Sequence, residues 1–129
     1  MLVVEDHPEI GNLMRAALTR ARIEATLITT GEEAVARARQ QPFDLILLDV
    51  ALPGISGLDV CRRLKSDKTL RHIPVTFVSG QTSKAYLDEA RRLGAVDFIG
   101  KPFELLDFLA RVLGQLRLQT NGGTKLQPP

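Results

Sequence analysis

Five side chains in this sequence could together handle a phosphoryl group: Glu5, Asp6, Asp49, Ser79 and Lys101. Each follows a short apolar run. Residues 2–4 end on Glu5-Asp6, residues 45–48 end on Asp49, residues 75–78 end on Ser79, and Lys101 stands just past residues 96–99. Three carboxylates brought together repel and raise one another's pKa unless a cation lies among them. A hard dication with oxygen ligands is the natural partner. Magnesium takes one or two carboxylates and keeps water in its other positions, which leaves room for phosphate oxygens. A carboxylate beside such an ion, an ammonium and a hydroxyl makes a good phosphoryl acceptor. Asp49 could attack phosphorus in line and form an acyl phosphate. Magnesium, Lys101 and Ser79 would stabilise charge on the group in transfer.

These residues meet only if the apolar runs lie side by side, and the pattern between the runs says that they do. Ile10, Leu13, Met14, Ala17, Leu18 and Ala21 recur at helical spacing, and Pro8 sits where a first-turn proline is tolerated. Residues 25–29 read as a second strand, and Gly31-Glu32-Glu33 opens a helix carrying Ala34, Val35 and Ala38. Residues 45–48 are continuously apolar, as in a parallel strand buried on both faces. After a loop with Pro53-Gly54 and Gly57, a helix carries Leu58, Cys61 and Leu64. Residues 75–78 form a fourth strand, 83–93 a helix stopped by Gly94, and 96–99 a fifth strand. The last helix runs from Phe103 to about Leu118, with Leu105, Phe108, Leu109, Val112, Leu113 and Leu116 on one stripe. Five strand–helix units imply a parallel sheet with helices on both faces. In such open sheets sites form at the carboxyl ends of the strands, where the five residues stand.

The chain's 129 residues suit one domain, and 44% hydrophobic with 25% charged residues suits a soluble one. Net charge is +2 (17 basic against 15 acidic), spread along the chain without a basic run. With only five Phe and one Tyr to stack on bases, direct nucleic-acid binding is not expected. The single Cys61 cannot form an internal disulfide and reads as a buried small hydrophobe in a reducing, cytoplasmic setting. No apolar stretch approaches the roughly 20 residues of a membrane span. The start, Met1-Leu2-Val3-Val4 before two acids, lacks the basic and apolar regions of a signal peptide. Residues 119–129, with Asn-Gly-Gly and Pro-Pro, read as a disordered tail or linker following a domain of residues 1–118.

Four segments together carry a resemblance: Val-Val-Glu-Asp at 3–6, Leu-Leu-Asp-Val-Ala-Leu-Pro-Gly-Ile-Ser-Gly at 47–57, Val-Ser-Gly at 78–80 and Lys-Pro-Phe at 101–103. No one of them is very specific, but all four in this order at these strand ends are. The sequence resembles the receiver domain of two-component response regulators over residues 1 to about 117. The resemblance implies a flavodoxin-like doubly wound (βα)5 α/β fold with strand order 2-1-3-4-5. It implies Asp49 as phosphoacceptor and Asp6 as direct ligand of a magnesium ion (manganese being the alternative). Glu5 would reach the metal through water, and the Ala51 backbone carbonyl would be a further ligand. Lys101 would pair with the phosphoryl group or, before transfer, with Asp49, across a cis bond to Pro102. Ser79 would bond a phosphoryl oxygen, and Phe98 would be the switching aromatic. Ala51 and Gln81 would tune dephosphorylation.

The implied function is a signalling switch rather than a conventional enzyme. Phosphorylation would draw the Ser79 hydroxyl toward the new oxygens, and Phe98 would turn inward behind it, in a two-state equilibrium. The surface of the fourth helix, fifth strand and fifth helix would change for an output domain or downstream protein. The implied donor is a sensor histidine kinase or histidine phosphotransfer protein. Asp97, Asp107 and Arg111 resemble positions used for dimer salt bridges, which admits a phosphorylation-promoted homodimer; solvated helix faces are the simpler reading. Three departures are visible. The first acid is Glu5 rather than Asp, the first strand starts almost at residue 1 and reads as short, and Phe98 lacks a tyrosine hydroxyl.

Simpler readings compete for single residues. Glu5-Asp6 alone would more often belong to a helix start, and Ser79 alone to a turn. His7 and His72 have no partner at metal spacing. Arg62-Arg63 and Arg91-Arg92 read as exposed helix residues. Among whole functions, a phosphatase using an aspartyl phosphate would place a second Asp two residues after Asp49, where Ala51 stands. A flavodoxin-like cofactor binder would need a phosphate-cradling loop, but Glu-Asp-His-Pro is acidic and lacks the glycines. A pure interaction module would not need the acceptor constellation at all.

Overall fold

The computed structural model describes residues 1–120. Elements alternate in chain order: β1 (Leu2–Val4), α1 (Pro8–Arg20), β2 (Thr26–Ile28), α2 (Gly31–Gln40), β3 (Ile46–Leu48), α3 (Gly57–Ser66), β4 (Val75–Ser79), α4 (Lys84–Arg92), β5 (Asp97–Gly100) and α5 (Leu105–Thr120). The strands form one sheet in the order β2-β1-β3-β4-β5, parallel throughout. The register aligns Val4 with Leu48, and Leu48 with Phe77. The carboxyl ends of β1, β3 and β4 therefore finish along one edge.

Period-two alternation divides the core. Leu2, Val4, Ile46, Leu48, Val75 and Phe77 face α2, α3 and α4. Val3, Leu47, Val78 and Ile99 face α1 and α5, packing on Met14, Leu18, Phe108 and Val112. Both faces of β1 and β3 are buried, which is why those segments carry no alternating polar residues. Helix starts are set locally. Thr30 Oγ1 accepts from the Glu33 amide at 3.3 Å, Ser56 Oγ accepts from the Asp59 amide at 3.2 Å, and Pro8 opens α1. Cys61 is buried on α3, and the low-dielectric surroundings push its thiol pKa up.

Several boundaries differ from the sequence expectation. β5 starts at Asp97 because Val96, 46% exposed, lies at the rim, although its amide still reaches the Val75 carbonyl at 2.9 Å. In α5 the buried stripe is narrower than expected: Phe108 and Val112 are sealed, but Leu105 and Leu113 are 39% and 37% exposed at its edges. α5 also continues to Thr120, past the expected end at Leu118, so only residues 121–129 of the expected tail lie outside the described residues. Among the described residues no helix is long and apolar enough to cross a membrane.

α1 ends in a way that makes a clean stability prediction. Arg22 has φ +64°, and the bonds Arg22 N–Thr19 O and Ile23 N–Leu18 O, both 2.9 Å, close a Schellman-type turn around it. That left-handed position is where glycine is preferred, because a Cβ there crowds the carbonyl. Arg22→Gly is expected to raise stability by about 0.5–1 kcal/mol. A urea denaturation midpoint no higher than wild type would show that the arginine costs nothing there.

Candidate functional site

The parallel register brings four of the sequence-selected side chains to one edge. Glu5 follows β1, Asp49 follows β3, Ser79 ends β4 and Lys101 follows β5. Backbone bonds continue the ladder beyond the strands: the Glu5 amide donates to Ile28 O at 2.9 Å, and the Asp49 amide to Val4 O at 3.1 Å. The acids are thereby held on the rigid sheet rather than on a free loop. Glu5 and Asp49 are buried, at 1% and 5% exposure, while Asp6 is open to solvent.

The Lys101 ammonium bridges the two buried acids. Its Nζ donates to Glu5 Oε1 at 2.7 Å and to Asp49 Oδ2 at 2.8 Å. The remaining carboxylate oxygens are also used. Glu5 Oε2 accepts from the His7 amide and Asp49 Oδ1 from the Ala51 amide, both at 3.1 Å. Burial and the neighbouring Asp49 charge outweigh the bonds from Lys101 and His7, so the Glu5 pKa is raised. Burial alone would lower the pKa of Lys101, but its bonds to Asp49 and Glu5 win, so it is raised and the ammonium stays charged. The pairing with Asp49 matches the sequence reading; the pairing with Glu5 was not foreseen. The one sequence feature that bears on it is Glu at position 5, a side chain one methylene longer than Asp.

Glu5, Asp6 and Asp49 offer oxygen atoms all within 4.8 Å of one another. An all-carboxylate set of this size suits a hard divalent metal ion. Ser79 is fully buried, and its Oγ accepts from the Gln81 amide at 3.1 Å. Its carbonyl accepts from the Lys101 amide at 2.9 Å, which joins β4 to the segment carrying the ammonium. The Lys101–Pro102 peptide bond is cis. Ala51 and Gln81 are exposed beside the site. His7 precedes α1 as an exposed cap residue, and His72 lies exposed before β4.

Phe98 lies on β5, in register with Phe77 of β4. Its ring is 5.9 Å from that of Phe77, tilted by 31°, and it borders a hollow of about 310 Å³ with Leu87 and Ala90 of α4 and Arg111 of α5. Arg111 is engaged within the chain. It donates to both Asp97 oxygens, at 3.0 and 2.6 Å, and to the Phe98 carbonyl at 3.2 Å, while Asp107 lies 3.8 Å away. The bond to Asp97 raises its pKa. The three residues singled out as dimer contacts thus pair with one another here.

The comparisons with known proteins agree with this arrangement. The family model described as "Response regulator receiver domain" matches residues 1–113. The chain is 37% identical over 119 residues to "Response regulator PleD" of Caulobacter vibrioides, covering 92% of this chain and 26% of that protein. It superposes with TM-score 0.83 and 30% identity on the BeF3-activated N-terminal receiver domain of Klebsiella pneumoniae RstA, covering 90% of this chain and 97% of that one. It superposes with TM-score 0.82 and 25% identity on the receiver domain of the sensor histidine kinase PA1611 of Pseudomonas aeruginosa PAO1, described with a magnesium ion coordinated in its active site cleft, covering 90% and 95%. The chain spans 26% to 50% of the length of curated relatives such as PleD and the YrkP regulator of Bacillus subtilis. A flavodoxin-like sheet ending in a carboxylate cluster bridged by Lys101, matched along nearly its whole length by one family model, places this chain in the response regulator receiver domain family.

Proposed function

We propose that the domain is a phosphorylation switch in which Asp49 accepts a phosphoryl group from a phosphohistidine of a sensor histidine kinase or histidine phosphotransfer protein. The observation that carries this reading is the Asp49 carboxylate itself. It is buried, fixed through Oδ1 by the Ala51 amide, and paired through Oδ2 with Lys101, which it shares with Glu5. An Asp49 oxygen attacks phosphorus, the phosphorus–nitrogen bond of the donor breaks, and the imidazole leaves with its electron pair. Lys101 follows the charge from carboxylate to phosphoryl oxygen, and the Ser79 hydroxyl turns from the Gln81 amide to donate to another of its oxygens. Asp6, Asp49 and the Ala51 carbonyl would hold a magnesium ion, with Glu5 through water; manganese fits the same oxygen donors. When bound, that ion offsets the charge of the acids and of the group in transfer.

The output follows from the placement of Phe98. When the Ser79 hydroxyl moves, the aromatic turns inward and the α4-β5-α5 surface changes for an output domain or a downstream protein. A phosphorylation-promoted homodimer would use the same face, and would require Arg111 to trade its bonds to Asp97 for equivalents across the interface. Ala51 and Gln81 stand where water would approach the acyl phosphate and so tune its lifetime. The switch acts in the cytoplasm, catalysing only its own phosphorylation and dephosphorylation.

The test is the intact mass of the chain after incubation with acetyl phosphate and magnesium. Wild type should gain one phosphoryl group that is lost on base treatment. Asp49→Asn, or wild type in EDTA, should gain none. A folded wild type that gains nothing with magnesium present, or an Asp49→Asn protein that gains as much, would remove the proposal.

A further inference from the structure

α4 is held to the domain differently from its neighbours. It buries one side chain, Ala90, whereas α2 and α3 each bury three and a glycine besides. Beyond Ala90 it meets the core through side chains that are only partly buried, Tyr86 and the C-cap Leu93, so the polar contacts across its flank carry more weight than surface pairs ordinarily do. Those contacts form a continuous ladder. Arg62 Nη2 on α3 donates to Glu89 Oε2 on α4 at 3.0 Å, and its Nη1 donates to Asp59 Oδ1 at 2.5 Å. The second Glu89 oxygen accepts from Arg92. The second Asp59 oxygen accepts from the Ser56 hydroxyl at 3.3 Å, and the Asp59 amide donates back to Ser56 Oγ at 3.2 Å. Ser56 closes the loop that begins after Asp49, and the next residue, Gly57, bonds the Val50 carbonyl at 2.8 Å. Glu89, at 21% side-chain exposure, is the most shielded charge of the four that face one another across this flank.

We propose that Arg62 is a coupling residue, tethering α4 to α3 and, through Asp59 and Ser56, to the loop that follows the phosphoacceptor. It biases α4 toward the position it holds in this structure, by a route separate from Ser79 and Phe98. The coupling part of the proposal rests on the reading of the chain as a phosphorylation switch; the tether does not. A network of this kind shifts a local equilibrium by a factor of about two to five.

Amide hydrogen exchange of the full chain tests both parts, using Arg62→Met, Glu89→Leu and the double variant. Without a phosphoryl donor, α4 amides should exchange about threefold faster in each single variant, with α2 amides unchanged. The double variant should match the singles rather than multiply them, because each change breaks the Arg62–Glu89 contact between α3 and α4, while the other bonds of the two residues lie within one helix. Unchanged α4 exchange in both singles, or a multiplicative double variant, would overturn the tether. With acetyl phosphate and magnesium, α4 exchange in wild type should rise, and the rise should be smaller in Arg62→Met, whose α4 is already released. An equal rise in both proteins would overturn the coupling. A wild type whose mass shows no phosphoryl gain would overturn the switch reading and the coupling with it, while the tether would stand on the donor-free exchange alone.

Discussion

Gly57→Ala is expected to destabilise the domain by about 3 kcal/mol and to slow phosphorylation of Asp49. A Cβ at position 57 would lie 1.9 Å from the Asp49 carbonyl oxygen, 2.7 Å from its carbonyl carbon and 2.9 Å from the Val50 Cα. All three are backbone atoms, so no side chain can swing aside. Either α3 backs away from the sheet, opening the packing of Val60 and Cys61, or the end of β3 moves and takes the acceptor with it. The Gly57 amide bond to Val50 would be lost in both cases. Gly114→Ala is the matched control. That glycine lies within α5, and among the described residues nothing beyond its own helix backbone and chain neighbours comes within 4 Å of an added Cβ, so alanine should raise stability by about 0.5–1 kcal/mol. Urea denaturation read by circular dichroism measures both. A Gly57→Ala protein within about 1 kcal/mol of wild type would show that the close approach is not a constraint.

The second large effect concerns Lys101, whose removal should act on stability and on chemistry in separable ways. In EDTA, Lys101→Met leaves Glu5 and Asp49 buried without their shared counter-ion, and the expected cost is about 3 kcal/mol near neutral pH. The sign of the pH dependence follows from the two shifts. The Lys101 pKa is raised above 10.5, so its contribution in wild type is fully present below that value and is lost as pH rises through the folded pKa. The Glu5 pKa is raised above 4.5, so ionised Glu5 is a burden on the folded state that protonation relieves. The deficit of Lys101→Met should therefore be largest at neutral pH and shrink as pH falls toward 4.5. A deficit that is flat or grows with acid would contradict the bridging arrangement. In magnesium with acetyl phosphate, the same variant should be phosphorylated more slowly by a factor of roughly 10²–10³, the usual loss when one donor to a developing oxyanion is removed. A rate within threefold of wild type would mean that Lys101 is a structural counter-ion only.

Much of this was legible in the sequence for a physical reason. A strand buried on both faces must be continuously apolar, so the point where the run stops is where the chain reaches the sheet edge. Glu5-Asp6, Asp49 and Ser79 could be placed from that alone, and Lys101 from its distance past the last run. Residues 2–4 and 45–48 read cleanly because nothing in them alternates. The ends of β5 and α5 read less well, because Val96, Leu105 and Leu113 are apolar residues at a rim, and hydrophobicity does not reveal whether a side chain is covered. The Lys101–Glu5 pair spans 96 positions, and Arg62–Glu89 spans 27, so both depend on which long side chain reaches which neighbour once the helices pack. Gly57 looked like a loop glycine. That it marks backbone passing against backbone is a fact of three dimensions.

The loop after Asp49 is fastened at both ends. The Ala51 amide bonds the acceptor's own carboxylate, and Gly57 bonds Val50 and starts a helix capped by Ser56. Between these anchors Ala51, Pro53 and Gly54 are exposed and contribute nothing to the core. On the proposed function, timing and architecture would thus be written in different residues. A new side chain at position 51 would lengthen or shorten the memory of a signal and leave the scaffold beneath it unchanged.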